Sequence, residues 1–208
     1  MTANRSSVYD MNWLAHVSLS PHSSPAHQLG NLVADLVKGR VWDGAASEIA
    51  QGMALHQRID LFTDVHPVVR QSQARLGASG RLRGVVVDIL YDHFLTRHWD
   101  TFFELPLDVF VDAFYREARL LVRDCPPDVE RFVIRLIMSD YLRAYAEPSG
   151  VLESLSRVDT RLSERLRKVE LTSSYFPAFE KNYRGLEQDF LTFFPSLIQD
   201  LGRSDEVG

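Results

Sequence analysis

Polar side chains recur at a four-residue spacing in the first half of the chain, and their types could support metal chemistry. His56 and Asp60 are four residues apart, and Asp64 continues the row. Residues at this spacing share one face of a helix. An imidazole and a carboxylate one turn apart can bind one divalent cation from a rigid element. A solvated polar stripe has the same pattern, so the spacing alone leaves both interpretations open.

The segment 82–98 repeats the pattern in a more apolar setting. Asp88 and Asp92 are four residues apart, and His93 follows directly. Their neighbours are mostly aliphatic and aromatic, which indicates a buried helix. Buried carboxylates need hydrogen-bonding partners or a metal. The alternative to a metal is a buried ion pair with a nearby arginine such as Arg97.

Asn31 and Asp35 form a third pair of this kind. Three helices that each offer acidic or amide groups on one face are typical of a site inside a helix bundle. Oxygen-rich ligands with one or two imidazoles favour Mn²⁺ or Mg²⁺, with Fe²⁺ and Zn²⁺ as alternatives. Such a cation acidifies water and neutralises a phosphate. The residues therefore predict metal-assisted hydrolysis of a phosphate ester.

The elements that must position these groups are helical, because apolar residues recur with a period near 3.6 and strand-like alternation is nearly absent. We predict an all-α, single-domain bundle of about seven or eight helices. Residues 11–202 would form the domain, with 1–10 as an N-terminal extension and 203–208 as a tail. The predicted helices include about 26–38, 45–64, 82–98 and 177–201, with others that begin near Pro67 and Pro106.

Composition excludes several classes of protein. The 208 residues carry a net charge of −5, which disfavours general nucleic-acid binding. The sequence has no stretch of about 18 apolar residues, so it predicts no membrane-spanning helix. The single cysteine, Cys125, cannot form an internal disulfide. The first ten residues lack the apolar region of a secretory signal. We therefore expect a cytoplasmic protein without membrane insertion.

Four blocks of sequence, taken together and in order, resemble the bacterial acyl carrier protein phosphodiesterases. The similarity extends more weakly over roughly residues 11–200. The blocks are MNWLAH at 11–16, GNLVADLVKG at 30–39, HQRID at 56–60 with Thr63–Asp64, and DHFL at 92–95 with Arg97–Trp99.

The resemblance implies an activity and partners. Members of the family hydrolyse the phosphodiester between the carrier protein serine and 4′-phosphopantetheine, which releases apo-carrier protein and the free prosthetic group. They depend on a divalent cation, typically Mn²⁺. The family is regarded as related to the all-α HD-domain metal phosphohydrolases, although the local order here is Asp92–His93 rather than His–Asp. Carrier proteins are small and strongly acidic.

The resemblance also suggests metal ligands. The expected set is Asp35, His56, Asp60 and Asp92. Asp88 is expected to orient a ligand, and Asp64 to hold His56 or Arg58 in place.

Other residues are assigned to proton transfer and substrate binding. His93 is the candidate to donate a proton to the leaving serine oxygen or to orient water, the alternative being a buried structural histidine. Arg58 could clamp the phosphodiester or pair with a neighbouring aspartate, and Asn31 could bind a phosphate oxygen or a metal-bound water. His16, in an apolar segment, is expected to be a core histidine. Arginines that could bind the acidic carrier protein include Arg81, Arg83, Arg97, Arg116, Arg119, Arg131, Arg135 and Arg143.

Two other functions remain open at this stage. One is an HD-like phosphohydrolase that acts on a nucleotide or another small phosphate ester. The other is a non-enzymatic helical module that binds carrier proteins, in which the acidic helix faces are simply solvated.

Overall fold

The computed structural model describes residues 13–205, with side chains up to residue 202, and this part of the chain is all-α. It contains eleven α-helices, eight of them longer than six residues, two 3-10 segments and no strand. The predicted all-α domain is confirmed, whereas the predicted extension 1–10 and the end of the tail lie outside the described residues. The helices are α1 Trp13–Ser18, α2 Pro25–Val33, α3 Ser47–Val65, α4 Pro67–Leu76, α5 Arg83–Arg97, α6 Trp99–Phe102, α7 Leu107–Leu121, α8 Pro127–Met138, α9 Pro148–Arg161, α10 Glu164–Arg167 and α11 Phe176–Asp205.

Local sequence signals set several helix starts. Proline occupies the first turn of α2, α4, α8 and α9, where its missing N–H costs no hydrogen bond. Ser24 caps α2 by accepting a hydrogen bond from the backbone N–H of His27. The prediction of one helix over 26–38 was too long, because α2 ends at Val33 and turns continue the chain to Gly39. These turns place Asp35 just beyond the helix end.

Helices α2 and α3 cross with their backbones in direct contact. A Cβ atom on Gly30 would lie 2.2 Å from the carbonyl oxygen of Ile49, and one on Gly52 would lie 2.0 Å from that of His27. Only glycine permits such a close approach. The crossing therefore brings the end of α2 alongside the middle of α3, where the histidine–aspartate pair was predicted.

Helix α5 forms the centre of the domain. Its residues from Val86 to Leu95 are all buried, so the helix is covered on every side. This confirms the prediction of a buried helix over this segment. It also means that the carboxylates of Asp88 and Asp92 lie inside the protein, at 9% and 0% exposure.

The long C-terminal helix α11 covers one side of the core with aromatic rings and is tied to α4. Buried Asp189 accepts hydrogen bonds from Arg75 Nε at 2.7 Å and from Ser72 Oγ at 2.9 Å. Phe190 and Phe194 of the same helix stack at 5.3 Å between ring centroids. Of the described helices, none is long and apolar enough to cross a membrane.

Candidate metal centre

Two acidic side chains flank a buried histidine at the α2–α3 crossing. His56 Nε2 lies 3.3 Å from Asp60 Oδ2, one turn further along α3, and 3.3 Å from Asp35 Oδ1. His56 is 5% exposed, whereas the side chains of Asp35 and Asp60 are 38% and 28% exposed. The structure thus brings together three of the four predicted metal ligands.

A second histidine joins this cluster from α1. His16 Nε2 lies 3.5 Å from Asp60 Oδ1, and the rings of His16 and His56 stack with 4.0 Å between centroids. Sequence reasoning predicted His16 to be a core histidine. It is indeed buried, but it faces the cluster. The sequence signal for this placement was the position of His16 at the end of the MNWLAH block. Residue spacing gives no such signal, because it cannot relate a residue of α1 to a residue of α3.

Asn31 fixes the orientation of both rings. Its side-chain Oδ1 lies 2.8 Å from His16 Nδ1, and its backbone oxygen lies 2.8 Å from His56 Nδ1. Both oxygens can only accept, so each histidine donates from Nδ1 and directs Nε2 into the cluster. The Asn31 amide nitrogen donates to the backbone oxygen of His16 and to Ser20 Oγ. The amide and backbone oxygen of Asn31 thus position the histidines, and its predicted contact with substrate stays a prediction.

The cluster fits a divalent cation. The Nε2 atoms of His16 and His56 are buried, and the carboxylate oxygens beside them lie at 3.3–3.5 Å, longer than a well-formed hydrogen bond. One ligand atom each from His16, His56 and Asp60 lies within 4.8 Å of the others. Bonds of about 2.1 Å to a cation place neighbouring ligand atoms roughly 3.0–3.5 Å apart, which matches the N–O distances of 3.3–3.5 Å. Imidazole and carboxylate together suit a borderline divalent ion.

The charges of the cluster also favour a cation. Burial alone would lower the pKa of His56, but its bonds to Asp35 and Asp60 raise that pKa to about 10. Burial and the charge of His56 lower the pKa of His16. Burial would raise the pKa of Asp60, but its contacts with the two histidines and their charges outweigh burial and lower the pKa. At neutral pH two carboxylates thus face one imidazolium, and the cluster carries a net negative charge.

Asp92, the fourth predicted ligand, lies outside this cluster and has a different set of partners. Its two carboxylate oxygens accept hydrogen bonds from the backbone N–H groups of Leu14 and Ala15, each at 3.0 Å. These are among the first amides of α1, which lack partners within the helix. Burial raises the pKa of Asp92 well above its ordinary value. Asp92 therefore anchors the helix that carries His16, and the structure groups His16, rather than Asp92, with His56 and Asp60.

His93, the predicted proton donor, lies between α5 and α11. Its Nδ1 is 2.6 Å from the backbone oxygen of Tyr145, and its Nε2 is 3.0 Å from the hydroxyl of Tyr183. Both ring nitrogens are engaged, and burial lowers the pKa of the ring. This geometry favours the structural alternative. Asp88 lies on the same buried helix, one turn before Asp92.

The remaining predicted residues lie around the cluster rather than in it. Asp64 is exposed, one turn beyond Asp60 on α3. Arg58 donates to the backbone oxygen of Leu201 at 3.4 Å. Arg97 is exposed at the end of α5.

Comparison with known proteins gives the chain its family. The family model described as acyl carrier protein phosphodiesterase matches residues 11–197. A protein named acyl carrier protein phosphodiesterase from Yersinia pestis is 32% identical over 193 residues, covering 91% of this chain and 96% of the relative. Proteins of the same name from Pectobacterium atrosepticum and Salmonella agona are 31% and 28% identical, covering 91% and 93% of this chain and 96% and 98% of their own lengths. No solved structure matches, so the predicted relation to HD-domain proteins stays a prediction. The chain belongs to the acyl carrier protein phosphodiesterase family.

Proposed function

We propose that this chain hydrolyses the phosphodiester that joins 4′-phosphopantetheine to the serine of holo-acyl carrier protein. The products are apo-carrier protein and free 4′-phosphopantetheine. We further propose that the reaction uses a divalent cation, Mn²⁺ before Mg²⁺, Fe²⁺ or Zn²⁺, held by His16, Asp35, His56 and Asp60. One observation carries this proposal: the buried Nε2 atoms of two stacked histidines lie 3.3–3.5 Å from two carboxylates, in a member of this family.

The residues of the cluster divide the work between them. His16 and His56 form its buried floor and are held in one tautomer by Asn31. Such outer hydrogen bonds fix the ring orientation and raise the basicity of a metal-bound histidine. Asp35 and Asp60 supply negative charge at the rim. When bound there, a divalent cation would lower the pKa of a water and offset the negative charge of the phosphodiester.

The exposure of the cluster indicates the side from which substrate arrives. The two histidines are covered, whereas the Asp35 and Asp60 side chains reach solvent. A phosphodiester on the surface of a carrier protein can therefore approach only from the carboxylate side. That side includes the turns after α2, where Asp35 lies.

An intact-mass assay tests the proposal. Purified protein plus Mn²⁺ should convert holo-carrier protein to apo-carrier protein, with loss of the mass of the prosthetic group. Asp60→Asn should abolish the conversion. The matched substitution Asp100→Asn, at an exposed residue of α6, should retain it. No conversion by the wild-type protein with any of the four cations would refute the proposal.

The two other functions give different outcomes in related assays. Hydrolysis of nucleotides or small phosphate esters, with none of the carrier protein, would select the small-molecule phosphohydrolase. A protein that binds carrier protein but retains no metal in any preparation would select the non-enzymatic module. Metal content by mass spectrometry, on wild type and on His56→Ala, separates that module from both enzymes.

A further inference from the structure

The outer face of α8 combines positive charge with apolar side chains. Arg131, Ile134, Arg135 and Met138 follow the spacing i, i+3, i+4, i+7, so they form one stripe along the helix. Both arginines are exposed, Ile134 is 37% exposed and Met138 is 73% exposed. The opposite face of the helix is buried through Val129, Val133, Leu136 and Ile137.

A cleft beside this stripe is also rich in arginine. It has a volume of about 220 Å³ and is lined by Leu36, Asp128, Arg131, Phe132, Arg135, Tyr141 and Arg161. The lining thus includes three arginines and one acidic residue. The guanidinium of Arg157 lies 4.3 Å from the centre of the Tyr141 ring and adds a fourth positive charge nearby. Burial, together with the charges of Arg157 and Arg135, lowers the pKa of Arg161.

The cleft adjoins the candidate metal centre. Leu36, on its wall, directly follows the proposed ligand Asp35. The ring of Trp13, one turn before His16 on α1, packs against Phe132 at 5.4 Å and against Tyr141 at 5.8 Å. The same short helix therefore supports a wall of the cleft and supplies a histidine to the centre.

We propose that the stripe on α8 and the adjoining cleft bind an acidic segment of the carrier protein. Arg131, Arg135 and Arg161 would pair with carboxylates of that segment, and Ile134 and Met138 would contact its apolar side chains. The proposal rests on the proposed function, which makes the carrier protein the substrate. Charge complementarity of this kind raises the rate of encounter and fixes the orientation of the partner.

The form of the stripe favours an acidic segment of the carrier protein over the prosthetic group as the occupant. The stripe runs for two helical turns, roughly 10 Å, and presents two arginines and two apolar side chains along that length. Free 4′-phosphopantetheine carries its negative charge on one phosphate, at a single point. An acidic segment offers several carboxylates along its length, and the serine that carries the prosthetic group can then be held at the neighbouring centre.

The test compares two double charge reversals. Arg131→Glu/Arg135→Glu removes the stripe, and Arg70→Glu/Arg184→Glu makes the same change at exposed positions of α4 and α11, which contribute nothing to the cleft. Binding of fluorescently labelled apo-carrier protein is measured by anisotropy, in 50 mM and 200 mM NaCl for the wild type. Turnover of holo-carrier protein and of bis(p-nitrophenyl) phosphate is measured with Mn²⁺.

We expect the α8 variant to raise the Kd for apo-carrier protein and the KM for holo-carrier protein by at least tenfold. Its turnover of the small phosphodiester should stay within twofold of the wild type, and the control variant should behave as the wild type in all assays. Binding by the wild type should weaken at the higher salt concentration. Unaltered melting curves would verify that the exposed substitutions leave the fold intact.

Three outcomes would overturn the proposal. The α8 variant could bind the carrier protein as tightly as the control variant. The wild type could fail to bind it at all. The α8 variant could lose inhibition by free 4′-phosphopantetheine while carrier binding is unchanged, which would assign the cleft to the prosthetic group. If the α8 variant loses binding but the wild type converts no holo-carrier protein, docking stands and the proposed hydrolysis is refuted.

Discussion

The backbone contact between α2 and α3 predicts that a single methyl group at Gly52 would disrupt the metal centre. A Cβ atom there would lie 2.0 Å from the carbonyl oxygen of His27 and 2.7 Å from the backbone nitrogen of Asn31. Real Cβ contacts to such atoms are not shorter than 3.0 Å. Gly52→Ala therefore forces the two helices about 1 Å apart, because backbone atoms cannot rotate away as a side chain does.

The separation acts directly on the orientation of His56. Its Nδ1 is held at 2.8 Å by the backbone oxygen of Asn31, and a 1 Å shift would break that hydrogen bond. Sites of this kind need ligand positions correct to roughly 0.5 Å, and a 1 Å misplacement costs about 100-fold in rate. We expect Gly52→Ala to lose about 100-fold in Mn²⁺ affinity and in hydrolysis of holo-carrier protein.

Global stability should change much less than the site. Overpacking costs about 1–3 kcal/mol, and replacing glycine by alanine within a helix returns about 1 kcal/mol. The net loss of about 0–2 kcal/mol corresponds to a fall in Tm of at most roughly 8 °C for a domain of this size. The protein should therefore remain folded while the centre fails.

The assay measures free Mn²⁺ by electron paramagnetic resonance during titration, alongside Tm and the holo-to-apo conversion. Gly202→Ala on α11 is the matched control, because a Cβ there meets nothing within 4 Å. It should bind Mn²⁺ as the wild type does. If Gly52→Ala binds Mn²⁺ within twofold of this control, the backbone contact does not set the ligand spacing and the argument is refuted.

Three further predictions follow from the same geometry. Asn31→Ala keeps all four proposed ligands but frees both rings, so Mn²⁺ affinity should fall about 10- to 100-fold; an unchanged Kd by calorimetry would exclude the orienting role. Metal binding must displace the proton of His56, whose pKa is about 10, so affinity should rise about tenfold per pH unit between pH 6 and 8; a flat profile would contradict this. Asp92→Asn leaves an α1 amide without its acceptor and should lower the free energy of unfolding by about 1–3 kcal/mol. The variant should bind the same number of Mn²⁺ ions as the wild type, and loss of bound Mn²⁺ from the folded variant would indicate that Asp92 is a ligand.

The sequence predicted the parts of the site that depend on short-range geometry. His56 and Asp60 share a helix face because a turn spans about four residues, and the structure places their side chains in contact. Helix bounds were also close: the prediction of 82–98 compares with Arg83–Arg97. Proline positions and apolar periodicity carry this information locally.

The rest depended on contacts between distant segments, which no spacing rule reveals. Asp92 is bonded to a backbone amide 78 residues earlier in the chain, so its buried carboxylate resembled a ligand in the sequence. His16 joins Asp60 only because α1 and α3 pack on either side of α2. The amide of Asn31 resembled a substrate contact, because no local sequence pattern shows that its oxygen and its nitrogen both bond to His16 of α1.

The dependence of α1 on Asp92 has a consequence for how the centre forms. A helix of six residues, Trp13–Ser18, is far too short to be stable alone. Its opening amides find their acceptors on α5, not within the helix itself. A fragment truncated ahead of α5 would contain every proposed ligand, yet the imidazole of His16 would have no fixed position in it. Preorganisation of the centre is therefore a product of tertiary folding across the domain, and it should emerge late and cooperatively during refolding.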